Sequence, residues 1–263
     1  MTKNQWIDAH CHLADLRLQS QVAEIIGRAT EAGIDFMMQG GVGPEDWQRQ
    51  IELARLYPGK LGLCFGLHPY WVADHNEQTC EEALDALAPL LPQALGLGET
   101  GLDFRPHLVK DSRERQLGIF EAQLELAEAS QKPVVLHIVQ AHEEALRVLD
   151  VWGVPQAKGF VHSFNGSWRK AQDFLSRGLY LSVGGPVVWP QNEKLHQVIF
   201  EMPLEFLLIE TDSPDQPPPR LKQSLNEPAS LWDVAAKIAD IRKMEVSMVL
   251  GQTSHNFKRL FRL

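Results

Sequence analysis

His10 and His12 stand two residues apart at the end of a short apolar run, Trp6 to Ala9. On an extended strand that spacing puts both imidazoles on one side and Cys11 on the other, so the pair reads as two ligands for a divalent metal. Four more polar groups close other apolar runs in the same way. Glu99 follows Ala94 to Gly98, His137 follows Val134 to Leu136, His162 follows Phe160 and Val161, and Asp212 follows Leu207 to Ile209. Four histidines and two carboxylates exceed the three protein ligands of a zinc with an open position. They suit two divalent ions about 3.5–4 Å apart that share a carboxylate and a water, the water becoming the nucleophile. Glu99, between the His10/His12 pair and the His137/His162 pair in the chain, is the natural bridge.

These groups meet only if the strand ends that carry them meet. Strand-like runs at Trp6 to Ala9, Ile34 to Met38, Leu61 to Phe65, Ala94 to Gly98, Pro133 to Leu136, Gly159 to Val161, Leu179 to Val183 and Phe206 to Ile209 make eight. Amphipathic stretches separate them, at Val22 to Ala32, Pro44 to Leu56, Cys80 to Leu90, Glu114 to Gln131, Ala141 to Val151, Trp168 to Ser176 and Asn192 to Phe200. After the Pro-rich loop Gln216 to Arg220, Leu231, Val234, Ala235, Ile238 and Ile241 mark an eighth helix, and a helical tail runs to Leu263. Strict alternation implies parallel strands with right-handed crossovers, hence a barrel or a doubly wound sheet. The length of 263 residues suits an eight-fold barrel, which needs about 250, and nothing in the chain reads as a linker or a repeat. One domain, residues 1–263, is expected. In a parallel barrel every carboxyl end of a strand opens on one face, where catalytic side chains collect.

A decoy lies in the middle of this pattern. Gly96-Leu97-Gly98-Glu99-Thr100-Gly101 matches the dinucleotide fingerprint. Such a site needs a helix opening at its third glycine to meet the pyrophosphate, whereas Leu102 to His107 reads as loop, so no dinucleotide is expected.

Composition narrows the class of partner. Lys plus Arg number 25 against 34 Asp plus Glu, a formal charge of -9, so no global basic field holds a nucleic acid or an anionic membrane. Any phosphate must be held locally. No apolar run approaches the roughly 18 residues of a membrane span. Three irregularly spaced cysteines, in a chain opening MTKNQW without a basic and then apolar leader, suggest a reduced, cytoplasmic protein.

Taken in order, His10-Cys11-His12, Gly66-Leu67-His68-Pro69, Gly98-Glu99-Thr100-Gly101-Leu102-Asp103, His137, His162-Ser163-Phe164-Asn165-Gly166, Glu210-Thr211-Asp212-Ser213-Pro214 and Asn226-Glu227-Pro228 span the chain. Together they resemble the TatD family of metal-dependent hydrolases and deoxyribonucleases. The resemblance implies a single-domain (β/α)8 TIM barrel of the amidohydrolase-like type. It implies one metal on His10, His12 and Asp212, a second on His137 and His162, and Glu99 shared, the ions being zinc, manganese or magnesium. Asp212 would also orient or deprotonate the attacking water, and His68 would contact substrate near the metals. Similar proteins cleave phosphodiesters in DNA, and some relatives hydrolyse the ester of D-aminoacyl-tRNA.

This chain departs from the family in one place. Many TatD-like nucleases follow the strand-five histidine with H-x-R-D/E, but Ile138-Val139-Gln140 follows His137 here, which removes a guanidinium able to grip phosphate bidentately. Arg105 and Lys110, after Asp103, are the substitutes, and Trp71, Phe164 and Trp189 are aromatic rings able to stack bases. Asp103, Arg105, Phe164 and His68 form the expected substrate contacts. The expected activity is phosphodiester cleavage at DNA ends through the binuclear site and its bridging hydroxide. The alternatives are an ester or amide hydrolase such as a D-aminoacyl-tRNA deacylase, and a non-catalytic metal-binding barrel. No membrane and no obligate protein partner are implied.

Overall fold

In the computed structural model, which describes residues 5–221 and 224–263, strands and helices alternate along the chain. They run β1 (Trp6–Cys11), α1 (Val22–Glu31), β2 (Ile34–Gln39), α2 (Pro44–Leu56), β3 (Leu61–Gly62), β4 (Cys64–Phe65), α3 (Pro69–Asp74) and α4 (Glu77–Leu87). There follow β5 (Gly96–Asp103), α5 (Pro106–Val109), α6 (Arg113–Ala129), β6 (Val134–Val139), α7 (His142–Trp152), β7 (Gly159–Val161) and α8 (Trp168–Leu175). The chain ends with β8 (Tyr180–Val183), α9 (Glu193–Glu201), β9 (Leu207–Ile209), α10 (Leu231–Arg242) and α11 (Val246–Phe261).

Every strand pairing is parallel, β1 to β2 to β3 in one sheet and β4 through β9 in sequence in the other. β3 and β4 are halves of one run interrupted at Leu63, whose carbonyl still accepts from Leu95 N at 2.8 Å. Last and first strands meet where Asp212 N donates to His10 O at 3.0 Å and His12 N donates to Ser213 O at 2.6 Å. The architecture is the expected α/β barrel.

Successive residues alternate between two apolar layers, as the strand period of two demands. Ile7, Ala9, Met38, Cys64, Val135, Phe160 and Leu208 face one cluster, and Met37, Phe65, Leu136, Val161 and Leu207 face the other, which holds the helices; Cys11, two residues past Ala9, joins the second because β1 shifts register between Asp8 and Cys11. The first cluster is completed by Phe257, Leu260 and Phe261 of α11, so the last helix serves as a plug. Full burial of a side chain such as Phe257 stabilises the fold by roughly 1.5–3 kcal/mol.

Several boundaries differ from the sequence pattern, β1 and β6 running on to Cys11 and Val139, and two more have a clear local cause. α4 starts at Glu77 rather than Cys80 because the Asn76 side chain caps it, accepting from Thr79 N at 2.9 Å. β5 runs on to Asp103 where a loop from Leu102 is expected. There it pairs with β6, and the Gln116 amide of α6 accepts from Asp103 N at 2.8 Å and donates to Asp103 O at 3.1 Å. The fingerprint glycines therefore lie within a strand. Among the described residues no helix is long and apolar enough to cross a membrane. Met1 to Asn4, part of the opening read for a leader, lie outside the described residues, as do 222–223.

Candidate metal centre

The first donor group forms where β1 ends. His10 Nε2 and His12 Nε2 stand 3.2 Å apart, both imidazoles on one side, while Cys11 turns away to donate to Met38 O at 3.5 Å. Glu99 Oε1 lies 3.4 Å from His10 and 3.2 Å from His12, and Asp212 Oδ1 lies 3.8 and 3.5 Å from them. The rings come this close because Gly40, at the end of β2, has no side chain. A Cβ there would sit 2.4 Å from His10 Cε1 and 2.7 Å from His12 Cε1. Asp212 is a non-glycine residue at φ 53°, a left-handed turn held by its N–H bond to His10 O.

The second group gathers on the other oxygen of the same carboxylate. Glu99 Oε2 is 2.7 Å from His162 Nε2 and 3.4 Å from His137 Nδ1, and those two nitrogens are 2.9 Å apart. His137 Nε2 meets Asp103 Oδ2 at 3.2 Å. With that N–H donated, Nδ1 keeps its lone pair for a cation, the arrangement by which carboxylates orient metal-binding histidines. Glu210 Oε1 accepts from Ser163 N at 2.6 Å and lies 3.6 Å behind His162 Nδ1.

His68 also reaches Glu99 Oε2, at 3.6 Å, and its Nε2 is 3.2 Å from His137 Nδ1. Proximity makes it a third possible ligand beside Glu99 and His137. Its tautomer argues otherwise. His68 caps α3, its Nδ1 accepting from Tyr70 N at 3.1 Å. Burial and the neighbouring His137 hold its pKa well below the usual imidazole value, so the ring is neutral with its proton on Nε2. An N–H cannot ligate; it donates.

Both Glu99 oxygens are buried without a hydrogen-bond partner of acceptable geometry among the described residues, although imidazole nitrogens surround them. Nitrogen and oxygen lone pairs instead converge on common points. Such a buried carboxylate costs several kcal/mol unless a cation accompanies it. The spacings agree: ligand atoms of a tetrahedral zinc, with bonds of about 2.0–2.1 Å, stand about 3.3 Å apart. Residues and geometry therefore fit divalent ions. Protons compete for the same lone pairs. Burial opposes charge on His12 and His162, but the carboxylates of Asp212 and Glu99 beside His12, and of Glu99 and Glu210 beside His162, hold both well above the ordinary imidazole value. Burial likewise opposes ionisation of Glu99 and Asp212, yet the surrounding histidines keep both carboxyls below their ordinary range.

A cavity of about 420 Å³ opens above these groups. Its wall includes His12, His68, Glu99, His137, His162 and Asp212, together with Arg17, Arg49, Arg105, Tyr70 and Gln216. Of the expected substrate contacts, His68 and Arg105 line it and two do not. The Asp103 side chain is wholly buried, bonded to His137 and to Arg105 Nε at 2.9 Å, and does not line the cavity. The Phe164 ring packs edge to face on Phe174, beneath a neighbouring hollow. Lys110 lines another surface hollow, and Trp71 is buried and stacked on His75.

Sequence reasoning missed Arg17, Arg49, Tyr70 and Gln216, which belong to no spaced pattern. Asp8, just ahead of the histidine pair, had no role assigned from sequence; it is wholly buried and accepts from His10 N, Thr211 N and Thr211 Oγ1 at 3.2, 3.0 and 2.5 Å. Asp8 thereby ties the end of β1 to the loop carrying Asp212. Its position two residues before His10 was the available signal.

A parallel barrel with carboxylates and imidazoles converging at its strand ends defines a metal-dependent hydrolase. A model of the TatD related DNase family matches residues 7–262, and the chain belongs to that family. It is 30% identical to the uncharacterized metal-dependent hydrolase YjjV of Escherichia coli, covering 98% of each chain. It is 31% identical to the 3'-5' ssDNA/RNA exonuclease TatD of Edwardsiella piscicida, covering 98% of this chain and 99% of that one. The crystal structure of the E. coli YjjV protein superposes with a TM-score of 0.90 at 29% identity over the whole of both chains. A TatD family hydrolase from Entamoeba histolytica, at 21% identity and a TM-score of 0.85, shares the fold.

Proposed function

We propose that this protein is a two-metal phosphodiesterase that removes nucleotides from the ends of single-stranded DNA. One observation carries the reading: the two oxygens of Glu99 face two separate nitrogen groups, His10/His12 and His137/His162, on the wall of an open cavity. Asp212 completes the first group. Two divalent ions held there would supply an acidified water and neutralise charge developing on a phosphoryl group. Zinc suits the imidazole-rich donors best, with manganese and magnesium the alternatives.

The chain's own residues do the rest. Asp212, kept ionised by its histidine neighbours, accepts the proton of the attacking water, while the Gln216 amide holds its Oδ2. His68 presents its Nε2 proton to the phosphoryl or leaving oxygen. Arg105 is aimed by the buried Asp103 yet keeps 42% of its side chain exposed on the wall, so it stands in for the arginine absent after His137. An exonuclease among the relatives of similar length agrees with this substrate class.

A second reading, hydrolysis of an acyl ester such as aminoacyl-tRNA, is favoured by Val139, which stands where many TatD-like nucleases carry arginine. The deciding measurement is turnover by the metal-replete protein on 3'-labelled single-stranded DNA, RNA, aminoacyl-tRNA and simple phosphodiesters, with metal content measured on the same sample. Two ions per chain and slow, metal-dependent release of nucleotides from DNA ends are expected. Untouched DNA ends beside efficient acyl-ester hydrolysis overturn the nuclease reading. A fully active sample that never exceeds one ion overturns the binuclear one.

A further inference from the structure

Beside the metal cavity lies a second hollow, of about 520 Å³, that none of the mechanism above uses. Its walls follow directly from two metal-site histidines: Ile138, Val139 and Gln140 come after His137, and Ser163, Phe164 and Asn165 after His162. Gln216 borders both spaces and bonds across them, its Nε2 donating to Asp212 Oδ2 and, at 2.6 Å, to Ser163 Oγ. The Oε1 of the same amide is buried without a hydrogen-bond partner among the described residues, an acceptor in want of a donor.

We propose that this hollow is a nucleobase subsite, which seats the base of the nucleotide next to the bond being cleaved. The inference rests on the phosphodiesterase reading for its placement and on the hollow's own chemistry for its occupant. Ile138, Val139, Val161, Phe164 and Pro186 give apolar wall, and Gln140, Ser163, Asn165 and Gln216 offer amide and hydroxyl donors and acceptors. A flat ring with apolar faces and a polar edge satisfies both kinds of surface. A phosphate finds one permanent cation there, Lys170, since His142 is held by Asp173. An aliphatic acyl chain leaves the amides of Gln140, Asn165 and Gln216 without a polar edge to meet. Amides that read a base edge also discriminate among bases, so the subsite makes the enzyme prefer some terminal nucleotides over others.

The test uses phosphate-free nucleosides, so that it does not depend on cleavage. Binding of adenosine, guanosine, cytidine and thymidine to the full-length, metal-replete protein is followed by saturation-transfer NMR. The same four are assayed as inhibitors of the hydrolysis of bis(4-nitrophenyl) phosphate. At least one nucleoside is expected to bind at millimolar concentration, with a five-fold or larger spread among the four. Val139→Trp, which fills the hollow, is expected to abolish that binding. Asn165→Ala, at an exposed position that does not threaten folding, is expected to narrow the spread to within two-fold. Binding that is absent for all four, or that both variants leave unchanged, overturns the subsite. If nucleosides do not bind while DNA ends are still cleaved, the subsite fails and the phosphodiesterase reading stands. If they bind with the expected variant effects while no phosphodiester is cleaved, the reverse holds.

Discussion

At the scale of single residues, one carboxylate organises everything else. Glu99 offers an oxygen to each nitrogen group, and Asp212 closes the first group while keeping a second oxygen on Gln216. If Asp212 takes the proton of the attacking water, Asp212→Asn lowers turnover about 10²-fold or more, the scale of a lost general base. Metal at His137 and His162 survives the change, as elemental analysis of the variant will show. The protonation of the site sets a second expectation. His12 and His162 titrate well above the ordinary 6.5 in the metal-free fold, so their protons stabilise that fold fully below about pH 6.5 and the gain is lost as pH rises through the raised values. Metal needs the same nitrogens deprotonated. Loading at neutral pH must therefore release protons, and affinity must climb as pH increases above 6.5. Calorimetry in buffers of different ionisation enthalpy measures the release; heats that do not depend on the buffer would contradict it.

At the scale of elements, strand ends were the legible part of the chain. A period of two placed His10 and His12 on one side and Cys11 on the other, and alternating apolar runs located the strands within a few residues. Asp103 shows where such reading stops. Its spacing after Glu99 is visible, but whether a carboxylate meets substrate or braces His137 depends on how β5 and β6 stagger, and that depends on Gln116 of α6. Arg17 is another case, because it reaches the cavity from a single 3-10 turn, Leu16–Leu18, too short to show periodicity, and pairs with Asp215, remote in the chain. Gly40 shows the reverse: a residue without chemistry decides whether two ligands fit. Gly40→Ala must push the His10 and His12 rings apart, and a tenfold or larger weakening of metal binding is expected, about 1.4 kcal/mol. Metal titration of a variant that keeps its thermal transition measures this, and unchanged affinity would show that the rings have room to move.

At the scale of the whole molecule, charge and connectivity act together. The net charge of -9 gives DNA nothing to condense on, and the arginines that reach the cavity are each tied to acids, Arg17 to Asp15 and Asp215, Arg105 to Asp103, Arg49 to Asp46. Phosphate contacts from these three arginines, the ones that line the cavity among the described residues, imply a salt slope of about −2 for single strands. The logarithm of kcat/KM for a DNA end, plotted against that of salt concentration, tests the value, and a steeper slope would reveal cationic contacts elsewhere. The meeting of first and last strands has a wider meaning. Asp8 grips Thr211 from 203 positions away, and the backbone bonds Asp212 N to His10 O and His12 N to Ser213 O lie on the same seam as the first donor group. A cation held by His10, His12 and Asp212 would be a rivet through the joint between the first and last strands of the barrel. Stripping it with a chelator is expected to let the cylinder breathe along that joint first. The amide protons of His12 and Asp212 then exchange with solvent sooner than those of β5 and β6, long before the molecule as a whole comes apart.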